Sequence, residues 1–173
     1  YWGIHNIREM ISSDYVEENH GFDKSKIDLL AYVDAVMQGD SEEYDELIEF
    51  VTKNDLQISE NYKIAAQQID LQEYINYVVA QVYFANHDWP GGNIKFWRPE
   101  SDNGKWRWIL YDLDLAFSDP KRNTLEWATT DEPVYEGSTD LLRNLMKNKD
   151  FRTQFLRTMQ KHLNSTFQPE RVI

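Results

Sequence analysis

Two short blocks of the sequence carry residue types that could perform chemistry together. Asp88 and Asn93 flank a Pro-Gly-Gly turn in the block NHDWPGGN, and Asp112 and Asp114 belong to the later block YDLD. In phosphoryl transfer, one carboxylate orients the attacking hydroxyl and accepts its proton, while amide and carboxylate oxygens hold Mg²⁺ against the nucleotide phosphates. Because magnesium prefers oxygen and takes few ligands from protein, Asn93 and Asp112 suffice. The two blocks together therefore predict a phosphotransfer site.

Each of these residues also has an ordinary structural interpretation. Asp and Asn favour turns, so Asp88 alone is a turn residue at the end of a helix, and Asn93 alone begins a strand. The ordered set favours chemistry, because the D-x-x-x-x-N spacing from Asp88 to Asn93 is typical of the catalytic loop of protein kinases. His87 is a candidate for supporting this loop. The remaining histidines have no partner at a metal-ligand spacing.

The composition excludes several classes of function. The chain has 173 residues, with 30 Asp and Glu against 18 Lys and Arg, a formal net charge of −12 and no cysteine. The acidic excess argues against a nonspecific nucleic-acid binder, which needs clustered basic side chains. Without cysteine there is no disulfide, thiolate zinc site or cysteine nucleophile. No apolar run is long enough for a transmembrane helix, and the length predicts a single domain.

The elements that must position the two blocks are predicted from hydrophobic periodicity. The main one is a core helix that begins at Asp70, with Glu73 completing a capping-box-like start, and ends at Asn86, before the Pro-Gly-Gly turn. Residues 25–86 are expected to be helical throughout. The elements expected before the core helix are a strand over 1–9, an exposed loop over 12–24, and helices from Ser25 to Gly39, from Ser41 onward and over about 60–68.

A β-hairpin over residues 93–114 is predicted to carry the site. Its strands bring the two blocks back to the same edge of the domain. Since side chains two apart on a strand point the same way, Asp112 and Asp114 are expected on one side. The parts of the hairpin are strand 93–99, turn 100–104 and strand 105–114, with Phe96, Trp106 and Trp108 as large cross-strand partners.

The rest of the chain is predicted to be a long polar loop over 115–137 and closing helices over 138–163, capped by Ser138 and Asp150. Loops of that length are usually functional. The last residues look like a helix start near Pro169. Because Tyr1 is not an initiator Met and neither end reads as a natural boundary, we expect the chain to be a piece of a longer protein.

Four segments, taken in order, resemble the spore-coat protein H (CotH) kinase family. The resemblance covers roughly residues 1–10 and 60–163, and its most specific part is the pair NHDWPGGN and WILYDLDLAF. The segments are YWGIHNIRE, IDLQEYINYVVAQVYFANHDWPGGNIKFWR, KWRWILYDLDLAF and LLRNLMKNKDFRTQFLRTM.

The resemblance implies an atypical protein-kinase-like fold, α+β and mainly helical. The chain would form its large lobe, with residues 1–11 as the linking strand and the small lobe mostly missing. The implied activity is ATP-dependent transfer of phosphate to Ser or Thr hydroxyls of a protein substrate, with Mg²⁺ or Mn²⁺. A secreted, cell-envelope or spore-coat location agrees with this family.

The family motifs also imply roles for individual residues. The catalytic carboxylate falls on Asp88, and the metal and nucleotide ligands fall on Asn93 and Asp112. Asp114 belongs to the same motif, as a second metal contact or a structural cap. Glu9 lies in the segment that would meet the adenine and is assigned to nucleotide binding.

Two departures from the family pattern leave the activity open. The phosphate-binding loop and the nucleotide-contacting Lys of the small lobe would lie before Tyr1, and Phe117 is followed by Ser118 where many members have Gly. One alternative is a pseudokinase or binding module of the cell surface or spore coat. Another is a carbohydrate-active enzyme with Asp88 and Asp112 across a sugar cleft. A measurement of metal and nucleotide binding discriminates between these hypotheses.

Overall fold

Helices and a small antiparallel sheet make up the described part of the chain, which in the computed structural model comprises residues 8–32, 35–101, 103–130 and 139–172. The helices are α1 (Ser13–His20), α2 (Glu42–Lys53), α3 (Ser59–Gln67), α4 (Leu71–Tyr83), α5 (Thr124–Thr129), α6 (Asp140–Lys147), α7 (Lys149–Leu163) and α8 (Pro169–Val172). The strands are β1 (Ile27–Ala31), β2 (Ala35–Gln38), β3 (Lys95–Pro99) and β4 (Arg107–Ile109). The predicted α+β class is confirmed, and so is a helix start at Pro169.

The four strands form one sheet in the order β2-β1-β3-β4, with every neighbouring pair antiparallel. The predicted hairpin is therefore present as β3 and β4. Phe96 lies opposite Trp108 in the ladder, and their rings stack with centroids 5.6 Å apart. Trp106 packs edge-on against Phe96 at 5.5 Å, so the three predicted cross-strand aromatic residues do meet.

Strands β1, β3 and β4 are covered on both faces, because their alternate residues enter different cores, whereas the edge strand β2 is exposed. Leu30, Phe96 and Trp108 belong to the main core, which also contains the inner faces of α4, α6 and α7. Leu29 and Trp97 belong to a smaller core against α1, whose only buried residue among those described is Val16. A strand covered on both sides needs no polar face.

That double burial explains why the helix predicted from Ser25 to Gly39 is wrong. All five residues of β1 are buried, including Asp28, which pairs with Arg98 at 2.8 Å, so this segment lacks the apolar-polar alternation that marks a half-exposed strand. The segment instead forms β1 and β2, and the expectation that 25–86 is entirely helical fails at this hairpin. The helices predicted from Ser41 and over about 60–68 are confirmed as α2 and α3.

Two short helices lie where only loops were predicted. In the 12–24 segment, Ser12 caps α1 and Gly21 ends it with a left-handed φ of 74°. With a single buried residue, α1 has almost no apolar periodicity to detect. In the 115–137 segment, Asn123 caps α5 by accepting a hydrogen bond from the Glu126 N–H at 3.1 Å. Residues 131–138 of that segment lie outside the described ranges.

The predicted caps of the closing helices need correction. The N-cap of α6 is Thr139, and Ser138 lies outside the described residues. The N-cap of α7 is Asn148, whose side chain accepts hydrogen bonds from the backbone of Asp150 and Phe151, so Asp150 is within the first turn. Most of the strand expected over 1–9 also lies outside the described residues, and the described part from Arg8 to Ile11 forms no strand.

Candidate active site

The loop that carries Asp88 begins where α4 stops. Phe84 is the C-cap of that helix, and Ala85 turns the chain with a left-handed φ of 47°. Asn86 is fully buried and donates from Nδ2 to Oε1 of Gln81 at 2.9 Å, which anchors the loop to the last turns of the helix. The Asn86 side-chain oxygen in turn accepts from the backbone N–H of Asp88 at 3.3 Å. Asn86 therefore links the backbone of Asp88 to the end of the core helix α4.

Asp88 and Asn93 are in direct contact, as their spacing suggests. Asn93 donates from Nδ2 to Oδ2 of Asp88 at 3.0 Å, and the Gly92 N–H donates to the Asp88 carbonyl at 2.6 Å. The Trp89–Pro90 peptide within this turn is cis. Asn93 has a left-handed φ of 53°, which Asn tolerates better than most residues. The loop closes on itself and presents a carboxylate beside an amide.

The two blocks leave the hairpin at the same end. Lys95 is the first residue of β3 and pairs with Ile109, the last residue of β4. The block containing Asp88 precedes Lys95 in the chain, and the block containing Asp112 follows Ile109. Both blocks therefore lie at this end of the hairpin. Two backbone hydrogen bonds then join the segments directly, from the His87 N–H to the Leu115 carbonyl at 3.4 Å and from the Phe117 N–H to the Phe84 carbonyl at 2.7 Å. The predicted convergence of the two blocks at one edge is confirmed.

The local geometry predicted for Asp112 and Asp114 is wrong. Strand β4 ends at Ile109, and Asp112 has a left-handed φ of 52°, so the alternation of an extended strand does not apply. The Asp112 side chain is one-third exposed and Asp114 is exposed in the turn that follows. Asp112 forms an ion pair with the exposed guanidinium of Arg8 at 3.6 Å.

The segment from Arg8 to Ile11 passes beside the hairpin end. Besides the Arg8–Asp112 pair, Lys95 donates from Nζ to the Ile11 carbonyl at 3.1 Å. Glu9, however, is exposed and accepts a hydrogen bond from Asn19 of α1 at 3.0 Å. Among the described residues, no hydrogen bond or ion pair joins Glu9 or Asp114 to the Asp88–Asn93 pair, so the site geometry brings together only part of the predicted set.

Burial and charge tune two side chains next to Asp112. Burial raises the pKa of Tyr111 to about 12, with the neighbouring Tyr32 and the Asp112 carboxylate adding to the shift. Lys95 lies with Nζ 5.3 Å from the centroid of the Tyr111 ring, and burial lowers the pKa of its ammonium group. At neutral pH Tyr111 is therefore a neutral hydroxyl adjacent to the acidic motif.

The comparison with protein families decides the assignment of this chain. The family model described as CotH kinase protein matches residues 1–173, the whole chain. The chain belongs to the CotH kinase family. Searches of curated proteins and of solved structures each gave no match. Membership in a kinase family supports a kinase-like function for this CotH protein, and the α+β architecture is compatible with part of a kinase-like fold.

The two blocks of this CotH family member carry oxygen atoms of the kind that a hard divalent cation prefers. Kinases in general use ATP and such a metal. Because Asn93 commits its amide nitrogen to Asp88, its Oδ1 is the atom able to bind a cation, and Asp112 offers a partly exposed carboxylate. Within the described ranges, no group of three or more His, Asp or Glu is gathered for a metal. That donor set suits Mg²⁺, which keeps water and phosphate ligands.

Arg122 contacts the Asp88 loop of this CotH family member, and the sequence reasoning did not predict that contact. Its NH1 group lies 3.2 Å from Nδ1 of His87, and NH2 donates to the His87 carbonyl at 3.4 Å. His87 thus has the loop contacts expected of a supporting residue. The sequence holds no signal for this pairing, since the partners are 35 residues apart.

No helix in the described ranges of the chain is long and apolar enough to span a membrane.

Proposed function

We propose that this site transfers the γ-phosphoryl group of ATP to Ser or Thr hydroxyls of a protein substrate, with Mg²⁺ or Mn²⁺. The observation that carries the proposal is the 3.0 Å hydrogen bond between Asn93 and Asp88, which lies at the same end of the β3–β4 hairpin as the Asp112 block. Family membership supports the reaction class.

Asp88 acts in this proposal as the residue that orients the acceptor hydroxyl and takes its proton. The acceptor oxygen forms a bond to the γ-phosphorus, the bond from that phosphorus to the bridging oxygen of ADP breaks, and the hydroxyl proton passes to the Asp88 carboxylate. The Asn93 amide restrains one oxygen of Asp88, Oδ2, and so leaves Oδ1 to face the substrate. Holding the carboxylate in one orientation before substrate arrives lowers the entropic cost of reaching the transition state.

Asn93 and Asp112 are the proposed metal ligands, with Asp114 as a second contact or a cap, and Glu9 stays a proposal for nucleotide binding. The metal, when bound, neutralises charge on the phosphates. Arg8 would have to yield its position on Asp112, which a single exposed ion pair at 3.6 Å allows because such pairs are worth at most about 1 kcal/mol.

The test is calorimetric titration of Mg-ATP and Mn-ATP into this chain and into a longer form that supplies a small lobe. Asp112→Asn should abolish metal-nucleotide binding, whereas Asp88→Ala should retain binding and stop transfer. Asp150→Asn, a change of the same type at an exposed residue of α7, is the matched control and should alter neither. Phosphate transfer that survives both site substitutions would show that the assignment is wrong.

A binding module without catalysis is the second candidate, and the Arg8–Asp112 contact favours it. The exposed guanidinium of Arg8 places a positive charge beside Asp112, where the kinase proposal places a metal cation. Under this alternative, neither form of the chain binds Mg-ATP or Mn-ATP. Arg8→Gln should then destabilise the 110–117 segment, whereas in the kinase it should leave or improve metal-nucleotide binding.

A further inference from the structure

Arg122 connects the segment after the second acidic block to the loop that holds Asp88. We propose that Arg122 is a positioning residue for Asp88, and that it acts by holding His87 as the Nε2–H tautomer and fixing the His87 backbone. The proposal rests on the proposed function insofar as Asp88 is the catalytic carboxylate. The contacts that carry it involve neither metal nor nucleotide.

The chemistry of the guanidinium determines the tautomer of His87. Arginine stays protonated and has only donor groups, so the His87 Nδ1 atom that lies 3.2 Å from its NH1 group must be an acceptor. A neutral imidazole whose Nδ1 accepts carries its proton on Nε2. The NH2 group of the same guanidinium donates to the His87 carbonyl at 3.4 Å. One rigid fork therefore holds both the ring and the backbone of the residue that precedes Asp88.

Arg122 is itself held in place by α5. Its guanidinium lies 4.1 Å from the centroid of the Trp127 ring, a stacking geometry in which arginine is strongly attracted to an aromatic face. The buried Thr124 and Ala128 attach α5 to the body of the domain. Among the described residues, no carboxylate lies within ion-pair distance of Arg122, so its NH1 and NH2 groups are directed to His87 and not to an acidic partner, while its buried Nε has no hydrogen-bond partner there.

The Asp88 loop thus has fixed points on both sides of the carboxylate. On one side, His87 is held by Arg122 and by its own N–H bond to Leu115. On the other, Asn93 bonds the carboxylate itself. Removing Arg122 takes away the side-chain contacts of His87 and leaves the first side with the backbone bonds from His87 to Leu115 and from Asp88 to Asn86, so Asp88 gains freedom to move relative to Asn93. Since a displacement of about 1 Å can cost about 100-fold in rate, we expect Arg122→Gln to lower kcat by about 10- to 100-fold with little change in KM for ATP.

The decisive measurement is long-range ¹H–¹⁵N NMR of the histidine rings near neutral pH, which distinguishes the tautomers and is simple because the chain has only four histidines. The wild-type chain should show His87 as the Nε2–H form. Arg122→Gln should populate the Nδ1–H form, and Arg122→Lys, which keeps the charge but loses the fork, should fall between them. Arg157→Gln, at an exposed position of α7, is the control and should leave His87 unchanged.

A second signal reports on Asp88 directly and needs no activity. The side-chain amide protons of Asn93 should be protected from exchange by their bond to Asp88, and Arg122→Gln should reduce that protection. A wild-type His87 in the Nδ1–H form, or an Asn93 amide unaffected by Arg122→Gln, would overturn the proposal. Wild-type kcat in an active Arg122→Gln enzyme would do the same. Absence of Mg-ATP binding in every form refutes the proposed function alone, because both NMR signals are read without nucleotide.

Discussion

Glu73 is expected to make the stability of the fold fall as the pH rises from about 4.5 to about 7. It lies in the first turn of α4, partly buried, and its Oε2 accepts from the Trp108 N–H at 3.3 Å. Burial raises its pKa from 4.5 to about 7, and the nearby Asp70 carboxylate adds to the shift. The folded state therefore holds this proton more tightly than the unfolded state does.

The sign and size of the effect follow from linkage. Between pH 4.5 and about pH 7 the Glu73 side chain has released its proton in the unfolded chain but not in the folded chain, so the contribution of Glu73 to the free energy of unfolding decreases with pH across this window and is level on either side of it. At about 1.4 kcal/mol per pKa unit the full shift corresponds to about 3 kcal/mol. Solvent screening of a partly exposed carboxylate reduces this to about 1–2 kcal/mol.

Glu73→Gln removes the titration and keeps an oxygen for the Trp108 N–H. Urea unfolding should show the variant close to wild type at about pH 4 and more stable by about 1–2 kcal/mol at about pH 8. Glu46→Gln, on the exposed face of α2, is the control and should change the free energy of unfolding by no more than about 0.5 kcal/mol at any pH. A Glu73→Gln difference that does not vary with pH would refute the reasoning.

Two further predictions concern the scaffold, both checked by urea unfolding. Asn148 caps α7 and donates to the Leu56 carbonyl at 2.7 Å, so Asn148→Ala should cost about 2–3 kcal/mol, and a loss below about 0.5 kcal/mol would show that neither bond matters. At Gly39, with φ 69°, an added Cβ would lie 2.1 Å from the Asp28 side chain, whereas at Gly21, with φ 74°, it meets nothing within 4 Å. Gly39→Ala should therefore be the more damaging by at least about 1 kcal/mol, and equal losses would contradict the steric argument.

The sequence predicts an element well where the signals at its ends agree with the residue types inside it. The core helix that begins after Asp70 is an example, because its cap and its periodicity agree, and the β3–β4 hairpin is another, with its large aromatic residues in register. The β1 strand was mistaken for a helix because both of its faces are buried. Helix α1 was missed for the opposite reason, since it buries only Val16 among the described residues.

The proximity of the two blocks could be predicted from the sequence, whereas the local backbone of Asp112 could not. The contact between Asp88 and Asn93 follows from their spacing across a tight turn, and their proximity to the Asp112 block follows from the hairpin. The left-handed φ of 52° at Asp112 could not be foreseen, because it depends on how the chain leaves β4. The contact of Arg122 with His87 depends on the path of the 115–123 segment, which has no periodic pattern to constrain it.

The Lys95–Ile109 rung has a consequence for how the molecule opens. The residues that flank the rung, Phe96 and Trp108, are buried in the main core, so the ladder can separate only when that core is exposed. Amide protons at the rung should accordingly exchange with solvent at the rate of global unfolding, while those of the two loops exchange faster. The two loops can move without displacing the strand ends from which they extend. The two blocks therefore stay at the same end of the hairpin for as long as the domain is folded.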